Sequence, residues 1–280
     1  DTNIFLKKYL KKQKYSGLFD AMSYALFPGG KKIRSKILID TGKIFNLNYS
    51  HLVIIGAAVE CVHAYSLIHD DLPCMDNDSM RRGKPSTHVK FGEATAVLAG
   101  NSLLTLAFEI LSNKKLNLNE KIKNKLISKL SICSGHTGVA GGQFLDLNFE
   151  NKKIPFKKII DMELKKTGKL FSYCCSVPVI IKNKNKNMIR VFERIGVNIG
   201  LLFQIADDLI DYEGDIKKVG KKTKKDQKRG KATLLSLLGY KKTVIYRNKL
   251  KLKIQEKIKK YGNKSESLSR TIDYIAERTK

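Results

Sequence analysis

IHDDLPCMDND at residues 68–78 and QIADDLIDYEGD at 204–215 decide how this chain is read. The first carries Asp70, Asp71 and Asp76, the second Asp207, Asp208 and Asp211, and each follows a long apolar run with helical rather than strand spacing. Carboxylates gathered near the C-terminal part of a helix meet the negative end of its dipole and repel one another, so a cation has to offset them. Oxygen-rich acid clusters suit hard divalent cations. A magnesium ion that keeps several waters and shares its other positions with a phosphate fits a site made from few acids.

Within the second segment Asp207 and Asp211 stand one turn apart on one helix face, with Asp208 about 100° round from its neighbour. Asp70 and Asp71 close the first helix. Pro73 disfavours regular helix beyond Leu72, so Asp76 has to return to the site through a turn. Outward from these segments helical periodicity recurs almost everywhere and β alternation almost nowhere. Helices are expected near 18–26, 34–46, 51–71, 92–111, 120–141, 156–181, 187–212, 232–238, 241–261 and 267–279, separated by Gly, Asn, Lys or Pro clusters. The class is all-α, and without a linker rich in Pro, Gly or Ser a single domain over 1–280 is the economical reading. If the two acid-tipped helices lie side by side in a bundle, their carboxylates face one another across a pocket mouth, with the loops after them as lids.

The 280 residues, 42% hydrophobic and 29% charged, have ordinary globular composition. The apolar stretches are broken by Glu60 and His63 or by Asn101 and Ser102, short of an uninterrupted membrane span, and the opening DTNIFLKKYLKKQKY lacks the apolar block of a signal peptide. Cys61, Cys74, Cys133, Cys174 and Cys175 have no metal-ligand spacing and suit reduced thiols in a cytoplasmic setting. The net charge of +28 would attract any polyanion, but the lysines are spread along the chain, and no zinc-finger, RNP-like or recognition-helix pattern accompanies them. Nucleic-acid binding is therefore not expected. A basic helical protein docking on nucleic acid or anionic membrane without catalysis remains the rival from another class, disfavoured because six aspartates would repel phosphate unless metals were retained.

In order along the chain stand GGKKIR at 29–34, CVHAYSLIHDDLPCMDNDSMRRGKPSTH at 61–88, KFGEATAVLAGNSLLTLAFEIL at 90–111, GGQFLDL at 141–147, KTG at 166–168 and FQIADDLIDYEGD at 203–215. With them the chain resembles the trans-prenyltransferases (polyprenyl diphosphate synthases), most closely the bacterial farnesyl diphosphate synthase branch, from about Phe27 to the C-terminal YIAERTK. The four residues between Asp71 and Asp76, two more than in a plain DDxxD, resemble the bacterial form of the first motif.

The resemblance implies a helical bundle of the isoprenoid synthase type with a central pocket, a homodimer, and head-to-tail condensation of isopentenyl diphosphate with dimethylallyl and then geranyl diphosphate to give farnesyl diphosphate. A geranylgeranyl or longer polyprenyl diphosphate synthase is the alternative within the class, and a terpene cyclase accounts less well for a second acid motif and a separate GGKKIR. Three Mg2+ per active site are implied, held by Asp70, Asp71, Asp76, Asp207, Asp208 and Asp211. Arg81, Lys166, Lys221 and Lys231 match contacts to the allylic diphosphate, while Thr167 and Gln204 turn oxygen dipoles toward the allylic cation. Asp70, Asp71, Asp207, Asp208, Lys166, Thr167 and Gln204 form the implied catalytic set. Lys31, Arg34, His63 and Arg82 match the metal-free site for isopentenyl diphosphate, and Gln143 and Asp146 would orient site groups or serve packing. Tyr65 and Ser66, about one turn before Asp70, would floor the chain-length tunnel, although Tyr65 is also ordinary core packing. Ser35 departs from the pattern, standing where a proline often follows the basic segment. Asn77 replaces a frequent aspartate, and the lysine-dense GKKTKKDQKRGK blurs the register of Lys221, Asp226 and Lys231.

Overall fold

The computed structural model describes residues 1–11, 17–27, 29–213 and 233–278. They divide into two compact units, one of residues 1–42 and 46–129, the other of 43–45 and 130–280. Helices carry both units, and among the described residues the strands are the two-residue pair Met80–Arg81 (β1) and Lys84–Pro85 (β2).

The first unit is built on α4 (Tyr49–Asp70). Its start is set by Asn48, whose side chain accepts from the Ser50 amide at 2.9 Å. Nearly every residue from Leu52 to Ile68 is buried, so the helix is apolar all round and sits in the core. It packs against α6 (Glu93–Ser112), where Gly100 leaves room for the His69 ring: a Cβ there would stand 2.1 Å from His69 Nε2. Helices α1 (Thr2–Leu10) and α2 (Gly17–Leu26) lie on α4 as well, and α3 (Ile33–Ile44) follows the GGKK turn. By length and mean hydropathy α4 and α6 could each cross a membrane, but 78% of the most apolar stretch of α4 and 44% of that of α6 are buried within the protein. Short α5 (Thr87–Phe91) completes the link from β2 to α6.

The second unit is organised on α11 (Lys186–Glu213) against α10 (Lys169–Ile181). Two glycines one turn apart permit the approach, since a Cβ at Gly196 would lie 2.4 Å from the Phe171 carbonyl and one at Gly200 would lie 2.7 Å from Gly168 Cα. The helix expected over 120–141 stops instead at Ser134, closing α7 (Glu120–Ser134), and a new helix, α8 (Val139–Phe149), carries GGQFLDL. The break has a steric cause: the turn is so tight that a Cβ at Gly138 would be 1.9 Å from the Cys133 carbonyl oxygen. The run expected at 156–181 is continuous but changes pitch, from α9 (Phe156–Glu163) through a π-turn at Leu164–Gly168 into α10. Helices α12 (Leu234–Leu238), α13 (Tyr240–Lys259) and α14 (Glu266–Glu277) follow, and α13 and α14 pack on α11.

Candidate active site

In the first unit α4 ends where the acids begin. Asp70 and Asp71 are buried, and the chain turns back over them through amide-to-carbonyl bonds from Asp76 to Asp70 (2.8 Å), Asn77 to Leu72 (3.0 Å) and Asp78 to Asp71 (3.1 Å). Asp76 thus returns beside Asp70, as the proline requires. Arg81, at the end of β1, lies on Asp71: its Nε donates to both carboxylate oxygens at 3.0 and 3.1 Å, its Nη2 donates to Asp71 Oδ1, and the same nitrogen reaches Asp78 at 3.5 Å. This is the forked, charge-assisted arrangement of arginine on carboxylate. The β1–β2 turn that delivers it has φ of 53° at Arg82 and 75° at Gly83, a left-handed pair typical of two-residue hairpins. An arginine with positive φ costs about 1 kcal/mol, and the cost is borne where two arginines are aimed.

Basic groups gather a short way along. The partly buried His63 ring is surrounded by positive charge, and burial followed by Arg34, Arg82, Lys32 and Arg81 holds its pKa well below the ordinary value. The imidazole is neutral near pH 7. Gly30 makes the cluster possible, because the Arg82 guanidinium lies where a side chain would project, 2.8 Å from an ideal Cβ. The two lysines of GGKKIR part company. Lys31 is exposed, whereas Lys32 is drawn inward to donate to the Leu26 carbonyl at 2.8 Å and to pair with Glu60 at 3.7 Å. Burial then lowers the Lys32 pKa, opposed by Glu60.

Below the acids, Tyr65 is 5% exposed and meets the His69 ring edge-on at 5.8 Å. Burial, with the Asp70 charge, pushes its hydroxyl up to about 12. Ser66 is buried and donates to the His63 carbonyl at 2.9 Å. His69 packs across Gly100 with Nε2 3.2 Å from the Val97 carbonyl, a structural position.

In the second unit the π-turn sets Thr167 against α11 and Lys166 against α8. Such bulges recur at functional sites because they rotate side chains out of helical register. Lys166 Nζ is 2.5 Å from Asp146 Oδ2 on α8, and Gly142 allows the helices this close, a Cβ there being 2.1 Å from the Lys166 nitrogen. Thr167 Oγ1 donates to Gln204 Oε1 at 3.3 Å, and Gln204 Nε2 donates to the buried Asp208 at 3.0 Å. Asp207 pairs with Arg278 at 2.8 Å; that arginine also donates to the Phe203 carbonyl at 2.9 Å and stacks on the Phe203 ring at 3.9 Å. Gln143 is buried, and Asp211 is partly exposed one turn beyond Asp207. Lys221, Asp226 and Lys231 lie outside the described residues.

Among the described residues no three Asp, Glu, His or Cys side chains already stand close enough to hold a metal. The donor chemistry nevertheless fits magnesium: Asp70, Asp71 and Asp76 in one segment and Asp207, Asp208 and Asp211 in the other supply the hard carboxylate oxygens that this ion prefers. The motifs announced the acids, Arg81, Arg82, Lys166, Thr167 and Gln204. They left out Glu60, Asp78 and Arg278, and the signal for Glu60 was an acid interrupting a long apolar helix.

The polyprenyl synthetase family model matches residues 16–274. The farnesyl diphosphate synthase of Buchnera aphidicola subsp. Schizaphis graminum is 44% identical over 234 residues, 82% of this chain and 78% of that protein. An FPP/GFPP synthase from Zymomonas mobilis shares the fold with a TM-score of 0.84 and 41% identity, over 92% of this chain and 88% of the other. A geranyltransferase from Helicobacter pylori, complexed with magnesium and isoprenyl diphosphate, aligns with a TM-score of 0.83 and 31% identity over 98% and 93% of the two chains. A family match running from ahead of GGKKIR to within α14 takes in both acid segments, the His63 cluster and the π-turn, and the chain belongs to the polyprenyl synthetase family.

Proposed function

We propose that this protein is a prenyltransferase that condenses isopentenyl diphosphate with dimethylallyl and then geranyl diphosphate to give farnesyl diphosphate. The observation that carries the reading is the pairing, within one unit, of an acid cluster suited to metal with a separate cluster of Lys32, Arg34 and Arg82 around a neutral His63. An enzyme joining two diphosphates needs both kinds of site: one where a metal activates a leaving group, and one where an anion is held intact by fixed cations.

Asp70, Asp71, Asp76, Asp207, Asp208 and Asp211 would hold magnesium, three ions per site, and the ions would supply neutralising charge for the allylic diphosphate as it leaves. Lys166, held by Asp146, and Arg81, held by Asp71, bind the same diphosphate. Thr167 and Gln204 orient oxygen dipoles toward the allylic carbon, and the hydrogen-bonded series from Thr167 through Gln204 to Asp208 fixes their direction. Lys31, Arg34, His63 and Arg82 hold isopentenyl diphosphate. Lys221 and Lys231 belong with the allylic contacts. Tyr65 and Ser66 close the tunnel below Asp70 and hold the product to fifteen carbons.

Residues 1–280 act as one synthase domain, supported by a family match that crosses both units. The enzyme works as a homodimer, for which α6 offers exposed Val97 and Leu98 on one face, and in the cytoplasm, supported by five free cysteines. Incubation with isopentenyl and dimethylallyl diphosphates plus magnesium should yield farnesyl diphosphate by chromatography. The absence of any condensation product sinks the proposal, and predominantly twenty-carbon or longer products replace its chain length.

A further inference from the structure

Glu60 is 2% exposed, on a long and almost wholly buried helix, and none of the substrate roles above uses it. Its hydrogen bond and its ion pair both go to the basic segment, and its charge also bears on Arg82. Its Oε1 accepts from the Ser35 amide at 3.0 Å, and its Oε2 is 3.7 Å from Lys32 Nζ. Ser35 lies in the first turn of α3, where the amides have no partner inside the helix, so a carboxylate there satisfies an orphan donor and sits at the favourable end of the dipole. The contact depends on residue 35 having an N–H, which serine supplies and proline would not. Ser35 Oγ in turn donates to the Lys32 carbonyl at 3.0 Å, and Gly56, one turn before Glu60 on α4, keeps the helices close, a Cβ there standing 3.0 Å from Ser35 Cβ. Arg34 lies between the two anchored residues, and its charge bears on His63 together with that of Arg82.

We propose that Glu60 is a positioning residue for the isopentenyl diphosphate site: by clamping Lys32 and the first turn of α3 it fixes the backbone from which Arg34 reaches the diphosphate. The inference rests on the function proposed above. Its electrostatic sign makes it testable. A carboxylate near an anion site opposes anion binding by charge alone, so neutralising it should tighten binding; if Glu60 acts by holding the cations in place, neutralising it should weaken binding.

Isopentenyl diphosphate binding is measured by calorimetry in the absence of magnesium and allylic substrate, on wild type, Glu60→Gln and the charge-conserving Ser35→Pro. The dissociation constant should rise about tenfold in Glu60→Gln, while binding of geranyl diphosphate with magnesium changes less than about twofold, a split that general loosening of the fold would not give. If Glu60→Gln fails to fold, Ser35→Pro, which deletes the amide that Glu60 accepts from and leaves every charge in place, carries the test with the same expected direction of loss. A dissociation constant equal to or below that of wild type in whichever variant folds overturns the inference and leaves the proposed function standing. Equal weakening for both substrates overturns it too. Wild-type protein that binds no isopentenyl diphosphate overturns the proposed function, and this inference with it.

Discussion

After Asp70 the chain folds back through amide bonds from Asp76 to Asp70 and from Asp78 to Asp71, whereas Asp207, Asp208 and Asp211 stay on α11 and are fixed from outside, by Arg278 and by the series Thr167, Gln204, Asp208. The first segment is positioned by its backbone and the second by other residues' side chains. The difference has consequences for stability. Asp71 has a side chain 3% exposed and is locked to an arginine 29% exposed, while Asp207 is 46% exposed with its partner at 10%. Removing Asp71 takes from Arg81 the fork that holds it, whereas Arg278, though the more buried arginine, keeps the Phe203 carbonyl and ring when the exposed Asp207 is removed.

The largest expected effect is on turnover and should be common to both segments. Asp70→Ala or Asp207→Ala should lower condensation by ~100-fold or more, because each removes an acid from the proposed magnesium set. The same steady-state assay after exhaustive chelation should show no activity. Stability should separate the segments: Asp71→Ala should lose ~3 kcal/mol or more, read as a fall in the denaturant midpoint, against little loss for Asp207→Ala. Near-normal condensation by Asp70→Ala or Asp207→Ala breaks the mechanism. Equal destabilisation of Asp71→Ala and Asp207→Ala breaks the comparison.

The next effect lies in which substrate suffers. Arg34→Ala or Arg82→Ala should raise KM for isopentenyl diphosphate by about tenfold, and Lys166→Ala should act mainly on the allylic diphosphate, if the groups serve the two anion sites proposed for them. Saturation curves for each substrate decide it. Three variants that impair both substrates alike would merge the two sites into one.

The contrast also explains what could be foreseen from the chain. The first segment was legible because its organisation is local: apolar periodicity gives α4, Pro73 ends it, and the turn brings Asp76 back. At α11 the spacing of the acids was equally legible, but their fixing was not, because Arg278 lies far along the chain from Asp207 and nothing local pairs them. The π-turn at Leu164–Gly168 escaped for a related reason: a changed pitch over five residues leaves the apolar pattern of 156–181 intact. In α7 the signal was present and overlooked. Gly135, Gly138, Gly141 and Gly142 crowd the end of the run expected at 120–141, and two of them form the turn that splits it. Lys32 and Lys31 differ only in burial, which no motif reports.

A smaller effect comes from His63. Folding lowers its pKa, so between that depressed value and the ordinary ~6.5 the unfolded chain binds a proton that the folded chain excludes. The contribution to stability is therefore full above about pH 6.5 and declines as pH falls below it. Relative to His63→Gln, the wild-type thermal midpoint should drop more steeply from pH 7.5 to pH 5, by a few °C. Diphosphate bound among Arg34, Arg82 and Lys32 would offset their charge, so isopentenyl diphosphate binding at pH 6 should take up protons, seen as a dependence of calorimetric heat on buffer ionisation enthalpy. Parallel stability curves for the two proteins would remove His63 from the cluster.

The smallest expected change in rate, and the most visible in product, belongs to Tyr65. It is buried below Asp70 on the backbone-held side of the comparison, so trimming it should leave the Asp70 turn and the Arg81 fork intact. Tyr65→Ala removes a ring and its edge contact with His69, at a cost of about 3 kcal/mol if the space stays open. An open space is the volume a further prenyl unit needs, and a collapsed one is not; stability and product length should therefore move together. A variant that loses stability and makes twenty-carbon product with near wild-type use of dimethylallyl diphosphate would establish the ring as the floor. One that loses little stability and still stops at fifteen carbons would show that the neighbouring helices had closed over the gap. A destabilised variant with unchanged product would place the floor deeper than Tyr65, beyond the reach of Ser66.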